Sequence, residues 1–196
     1  MLRPADENDM EFAFSMMLTA GGGFVEKALG VGSSELAKKI FLTLWTGKPN
    51  RFHCHNAHIA ETNGIKTGFI SSYSTDDKYY SGIPTGRILT AGGLRLVSYY
   101  LLRPGFVLKL IRLPEGKSGE LYIGAAAVIE GFRGKGIGTL LMEKAFDKAK
   151  GYGLKTVSLT VSRDNHEAVR FYRSLGFCSD DSVGRKQPVY RMSVSL

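Results

Sequence analysis

The chain has 196 residues, and 26 Lys and Arg against 18 Asp and Glu leave a formal charge of +8. This length suits a single domain over 1–196, and 43% hydrophobic with 22% charged residues is ordinary globular usage, which excludes disordered, collagen-like and low-complexity chains. Two cysteines, Cys54 and Cys178, cannot build a disulfide framework, so reduced and unreactive thiols in a cytoplasmic setting are expected.

The N-terminus places Arg3, Pro4, Asp6, Glu7 and Asp9 where a secretory leader would place an apolar stretch. The longest charge-free apolar run, Phe12 to Val25, contains three glycines and falls short of the roughly 20 residues that cross a bilayer. A soluble protein with no membrane partner is therefore expected. Residues 1–73 are neutral, 74–119 carry +4 and 130–196 carry +5. Such a field attracts polyanions in general, and composition does not choose among them.

Leu2 to Pro4 reads as a short strand, after which Asp6 and Asp9 offer helix caps. Met10 to Leu29 has helical apolar spacing, interrupted at Gly21, Gly22 and Gly23. Ser33 or Ser34 caps a further helix with Leu36, Ile40 and Leu44 on one face. Between them, His53, Cys54, His55 and His58 hint at a metal site, but no second ligand pair recurs at zinc spacing. No metal is expected; in strand geometry His53 and His55 share a face and His58 takes the other. The dipeptide Asn63-Gly64 prefers the type I′ turn of a tight hairpin, joining strands at 58–61 and 66–73.

Residues 75–119 are too many for a bare loop and predict a helical excursion. Leu94, Val97 and Leu101 stand at i, i+3, i+7, Pro104 with Gly105 ends that pattern, and Phe106 to Leu113 forms a second apolar segment closed by Pro114. From Leu121 to Ile129 the chain is continuously apolar or small, as in a strand covered on both faces. A glycine-rich turn, Gly131 to Gly138, opens a helix bearing Leu141, Met142, Ala145, Phe146 and Ala149. Val157, Leu159 and Val161 alternate with Thr156, Ser158 and Thr160, a half-buried strand. Asp164 and Glu167 resemble a capping pair for a helix ending at Gly176, and Val189 to Val194 reads as a last strand. This order is an α/β signature.

Arg133, Gly134, Lys135, Gly136, Ile137 and Gly138 lie between a strand and a helix, where backbone N–H groups and the helix dipole converge on an anion. The segment is not a Walker loop, because Ile137 follows Gly136, nor a dinucleotide fingerprint, because position 139 is Thr139. Further on, Asn165 and Tyr172 are seven residues apart and project from one helix face.

Together these motifs, with Ala168, Phe171, Leu175, Gly176 and Phe177 following Asn165, make residues 120–177 resemble the acetyl-CoA core of the GCN5-related N-acetyltransferases (GNAT). The resemblance implies a central mixed twisted sheet with a splayed strand pair flanked by helices, with the excursion at 75–119 inserted between the third and fourth strands. It implies acetyl-CoA as co-substrate and an amine acceptor on a small molecule or protein, with direct attack on the thioester and no protein nucleophile. Pantetheine then lies along Ala126, Ala127 and Val128, and the pyrophosphate on the N–H groups of Arg133, Gly134, Lys135, Gly136, Ile137, Gly138 and Thr139. Asn165 contacts the cofactor arm, and Tyr172 is the general acid for the departing thiolate.

Some members use a strand Glu as base; Tyr122 takes that position here with Glu120 two residues earlier, so Glu120, Tyr122 or a water chain is expected to accept the proton. The alternative is a non-catalytic acyl-CoA-binding regulator. No nucleic-acid partner is needed once the basic C-terminal half has a small phosphate ligand, and a homodimer is compatible with the reading.

Overall fold

The computed structural model describes residues 1–77, 85–111, 115–180 and 188–196. The expected Leu113 and Pro114 closure of the insertion lies outside these residues.

Strands β1 (Leu2–Pro4), β2 (Ala57–Thr62), β3 (Ile65–Ser74), β4 (Glu120–Val128), β5 (Thr156–Ser162), β6 (Cys178–Ser179) and β7 (Val189–Ser195) form one sheet in the order β1-β2-β3-β4-β5-β7-β6. Every neighbouring pair is antiparallel except β4 and β5, which run parallel. The β2–β3 hairpin turns at Asn63 (φ 51°) and Gly64 (φ 77°), both left-handed as a type I′ turn requires.

Helices α1 (Met10–Gly21), α2 (Gly23–Gly30), α3 (Ser34–Trp45), α4 (Thr85–Leu101) and α5 (Pro104–Ile111) precede β4; α6 (Ile137–Gly151) and α7 (His166–Ser174) follow it. The break between α1 and α2 falls at Gly22, and Ser33 caps α3 by accepting from the Leu36 N–H. The sheet separates two cores. On one face, Ile59, Phe69 and Ala125 pack with Phe14, Ile40, Phe41, Leu44 and Trp45; Ile88 and Leu96 join them from α4. On the other, Ile70, Leu121, Ile123, Val157, Leu159 and Met192 pack with Leu141, Met142 and Ala145 of α6 and with Val169 and Tyr172 of α7.

Three local expectations are corrected. The face Leu94–Val97–Leu101 is not the buried one: Leu94 is 88% and Leu101 76% exposed, whereas Leu96 is fully buried. Gly93 (φ 60°) kinks α4 just ahead of that stretch, and beyond it the core takes Leu96 with Tyr100 instead. The first pattern does end ahead of Pro104, at Leu101, and Pro104 itself opens α5, the first helical turn being where a missing N–H costs nothing. Asn165, not Asp164, caps α7, its Oδ1 accepting from the Ala168 N–H at 3.0 Å. Ser158, expected on an open strand face, is fully buried because the segment around Gly116 crosses over it.

Candidate active site

The sheet opens at one point. The β4–β5 ladder runs only from Glu120↔Thr156 to Ile123↔Leu159, yet β4 continues to Val128 and β5 to Ser162. Beyond Ile123 the two parallel strands part, leaving the edge of β4 from Gly124 to Val128 with no ladder partner on the β5 side, while its other edge stays paired with β3. Backbone donors and acceptors on such an edge need partners, and an extended ligand can supply them.

A bulge marks the start of this edge. Ser71 pairs with Ala125 and Ser72 with Ile123, so Gly124 is the additional residue, and it is exposed. The Ser72 carbonyl beside the bulge accepts a 2.5 Å bond from Nζ of Lys148, which reaches up from α6. Burial, helped by neighbouring Lys144, lowers that ammonium to about 8.

At the far end of the edge, Glu130–Phe132 form a short turn and the chain enters α6 through Gly136 at φ 79°. No side chain caps this helix, so the first N–H groups of α6 have no partner within it and face outward together with the exposed loop 133–136. Gly138 is needed for close approach: a Cβ there would lie 3.0 Å from Cζ of Phe171 on α7. The N-terminus of α6 and the body of α7 are thereby locked together. Arg133 and Lys135 are both exposed; Arg133 donates weakly to the Val128 carbonyl and Lys135 stands 4.8 Å over the Phe132 ring. A ligand with phosphates at this loop and an extended arm along β4 fits both features.

Tyr172 of α7 is buried in the core on the α6 face of the sheet. Its ring packs on Phe177 at 5.7 Å, and burial, with the Tyr122 phenol nearby, pushes its hydroxyl up to about 12. Among the described residues that hydroxyl has no hydrogen-bond partner. It stays protonated across the physiological range and so is a hydrogen-bond donor. Asn165, at the N-terminus of the same helix, spends its side-chain oxygen on the cap, which leaves its amide NH2 for a ligand.

The two base candidates are held differently. Glu120 is buried and accepts from Arg191 Nη2, from Ser158 Oγ at 2.6 Å and from the Lys117 N–H at 2.9 Å. Burial pushes its carboxyl up, but those donors outweigh it and hold the group below the usual carboxylate range. It sits at the closed end of β4, two residues before Tyr122. Tyr122 is raised by burial, partly offset by a hydrogen bond from Thr160, and its ring lies 5.7 Å from that of Tyr73.

Tyr73 in turn carries the Arg51 guanidinium at 5.2 Å, and Arg51 forms a bidentate pair with Glu115 at 2.5 and 2.9 Å. Arg191, Tyr73, Arg51, Glu115 and Lys148 were not signalled by any sequence motif, because their partners lie 38 to 76 residues away or on other elements.

The His53, Cys54 and His55 ligand atoms lie within 4.8 Å of one another, in a short turn before β2 rather than on a strand. His53 Nδ1 already accepts from the His55 N–H at 3.2 Å, and burial pushes the Cys54 thiol up, against the thiolate a metal would need. These contacts shape the turn. His58 stands apart on β2, where burial, then Lys144 and Lys148, lower it to about 4.

Comparison with known proteins agrees with this geometry. The model of the acetyltransferase (GNAT) family matches residues 32–177. N-alpha-acetyltransferase 30 of Schizosaccharomyces pombe is 39% identical over 57 residues, 29% of this chain and 38% of that protein. An uncharacterized N-acetyltransferase of Methanocaldococcus jannaschii is 50% identical over 46 residues, 24% of this chain and 20% of that protein. The chain thus spans less than half the length of these curated relatives. An N-acetyltransferase structure from Staphylococcus aureus superposes with a TM-score of 0.66 at 19% identity, covering 99% of this chain and 100% of that one, a likeness of fold.

Proposed function

The chain belongs to the acetyltransferase (GNAT) family, and we propose that it transfers the acetyl group of acetyl-CoA to a primary amine by direct attack. The observation that carries this reading is the parting of β4 and β5 after Ile123, which leaves the β4 edge from Gly124 to Val128 without a ladder partner on that side, just ahead of the uncapped glycine-loop helix. The α6 N–H groups at Ile137, Gly138 and Thr139, with the loop Arg133 to Gly136, bind the pyrophosphate. Backbone groups of Ala126, Ala127 and Val128 pair with the pantetheine arm, and an N–H of the same edge polarises the thioester carbonyl. Asn165 steadies the arm through its free amide.

In the reaction the amine nitrogen forms a bond to the carbonyl carbon, the carbon–sulfur bond breaks, Tyr172 protonates the departing sulfur, and the proton released by the newly acylated nitrogen returns through water to Tyr172. An ammonium acceptor, with a pKa near 10, must first lose a proton. Glu120 is committed to Arg191 and Ser158, so we assign this step to water reaching the exposed Gly124, with Tyr122 lining the route. The acceptor is a small amine or a peptide N-terminus; the name of the fission-yeast relative supports including α-amino groups.

The test is thiol release from acetyl-CoA across a panel of small amines and peptides. Tyr172→Phe should lower turnover by about a hundredfold or more with acetyl-CoA affinity unchanged within about twofold; undiminished turnover would remove Tyr172 as the acid. A second reading, a non-catalytic acyl-CoA-binding regulator, is favoured by the engagement of Glu120. Tight acetyl-CoA binding with no acceptor in the panel would select it.

A further inference from the structure

The α4–α5 hairpin exposes leucines where a globular surface would normally place polar groups. Leu94, Leu101 and Leu102 are 88, 76 and 81% exposed and Leu108 45%. Leu94 and Leu101 are seven residues apart, so they lie on one side of the helix, and Leu102 continues its last turn through an N–H bond to the Ser98 carbonyl. Arg95 and Arg103 are interleaved with them. Among the described residues neither arginine is in an ion pair; Arg103 stands 4.7 Å over the Tyr99 ring.

Val31, Arg95, Ser98, Tyr99, Leu102 and Arg103 line a shallow cavity of about 370 Å3, so two arginines border one depression. In the sequence, residues 78–114 carry six basic residues and no acidic one. The hairpin is fastened from beneath by Leu96 in the core, by the Tyr100 hydroxyl donating to the Ala28 carbonyl and by Phe106 against Phe24 at 6.3 Å. Its outer surface is therefore presented by a fixed base.

We propose that this surface docks on a bilayer carrying anionic phospholipids. Leu94, Leu101, Leu102 and Leu108 enter the headgroup–acyl boundary while Arg95 and Arg103 receive a lipid phosphate. Interfacial helices combine exposed leucine with Arg in this way. No helix among the described residues is long and apolar enough to cross a membrane, so the contact is peripheral.

A second copy of the chain fits less well. A twofold contact would set Arg95 and Arg103 against their own images, with no acid in the hairpin to offset them. An acidic peptide would meet the cations but leave the four leucines in water. The proposal departs from the sequence expectation of no membrane partner, which rested on spanning length alone, and it is independent of the acetyl-transfer reading.

The experiment is co-sedimentation of the full chain with phosphatidylcholine vesicles, alone and with about one third phosphatidylglycerol. Binding to the anionic vesicles only is expected, weakening as salt rises from about 0.1 M to about 0.5 M. Leu101→Glu with Leu102→Glu should abolish it, and Arg95→Gln with Arg103→Gln should weaken it about tenfold or more. Circular dichroism and a cooperative thermal melt confirm that each variant is folded, and the arginine pair carries the test if the leucine pair is not. Absence of binding to anionic vesicles overturns the proposal, as does equal binding by both folded variants. A dimer in light scattering that dissociates in the leucine variant, without vesicle binding, overturns it in favour of self-association.

Discussion

Asp9 shows how one residue can exceed its local motif. By position it is a helix cap, yet its side chain makes no cap bond to α1. Its carboxylate lies buried between Arg3 at 2.7 and 2.8 Å and Lys66 at 2.6 Å, and also accepts from the Asp6 N–H, tying the first strand and the first helix to the β2–β3 hairpin. Burial raises the carboxyl, but these donors overcome it and hold the group far below the usual range.

A carboxylate depressed in this way contributes its stability fully above the unfolded value of about 4 and loses it as pH falls through the lower folded value. Asp9→Asn should therefore cost about 2 kcal/mol at neutral pH, and the gap to the unmodified chain should narrow progressively below about pH 4. Urea midpoints at several pH values measure both. A gap that stays constant to strongly acid pH would show that the charge is not what stabilises. Glu120 is the companion case: a residue type suited to base catalysis, engaged instead by an arginine 71 positions away. Its conversion to Gln should cost stability more than it changes the pH profile of turnover. A profile shifted in its basic limb with stability intact would return Glu120 to the catalytic group.

At the scale of elements, the helix α6 does two jobs through its small residues. Its left-handed entry at Gly136 aims the N–H groups outward, and Gly138 lets the Phe171 ring close on the helix start. Gly138→Leu must displace that ring, and Tyr172 is its neighbour in the chain. Acetyl-CoA affinity should fall by about tenfold or more, since a shift near 1 Å at a positioned site is costly, while the far core remains intact. Calorimetric titration with acetyl-CoA reads the affinity, and an unchanged constant would mean that the loop is not the phosphate cradle.

The loop, the hairpin turn at Asn63-Gly64 and the Ser33 cap are legible in the sequence because each depends on the backbone conformation of three to six consecutive residues. The α4 stripe was not. Leu94, Val97 and Leu101 satisfy helical spacing, but Leu96 and Tyr100 form a second stripe and it is this one that packs into the core; spacing alone does not choose between two apolar stripes.

For the whole molecule, two cores on opposite faces of one sheet divide the labour. The face built by α1 to α4 carries most of the aromatic packing: Phe14 on Phe41 at 5.5 Å, Phe41 stacked on Trp45 at 5.5 Å and Trp45 on Phe69 at 6.4 Å. The Trp45 indole also donates to the Asp6 carbonyl at 3.0 Å. Trp45→Ala removes both and should cost about 3 to 5 kcal/mol. The face built by α6 and α7 holds the proposed cofactor site and does not touch Trp45. Acetyl-CoA added in excess should then recover part of the lost melting temperature by mass action. No recovery at saturating ligand would mean that the two faces do not share one cooperative unit.

The sequence alone determined the α/β order, the glycine loop and the tight turns, because φ signs, capping and short periodicities are local properties of the chain; the association of that loop with the Asn165–Tyr172 helix came from the family resemblance. Only the tertiary structure decided where the β4–β5 ladder stops, that Glu120 is bound by Arg191 and Ser158, that Lys148 supports the Gly124 bulge and which leucines stay in water. Those outcomes depend on which strands become neighbours and at what register, and residues 38 to 76 positions apart carry no mark of one another until the sheet brings them together.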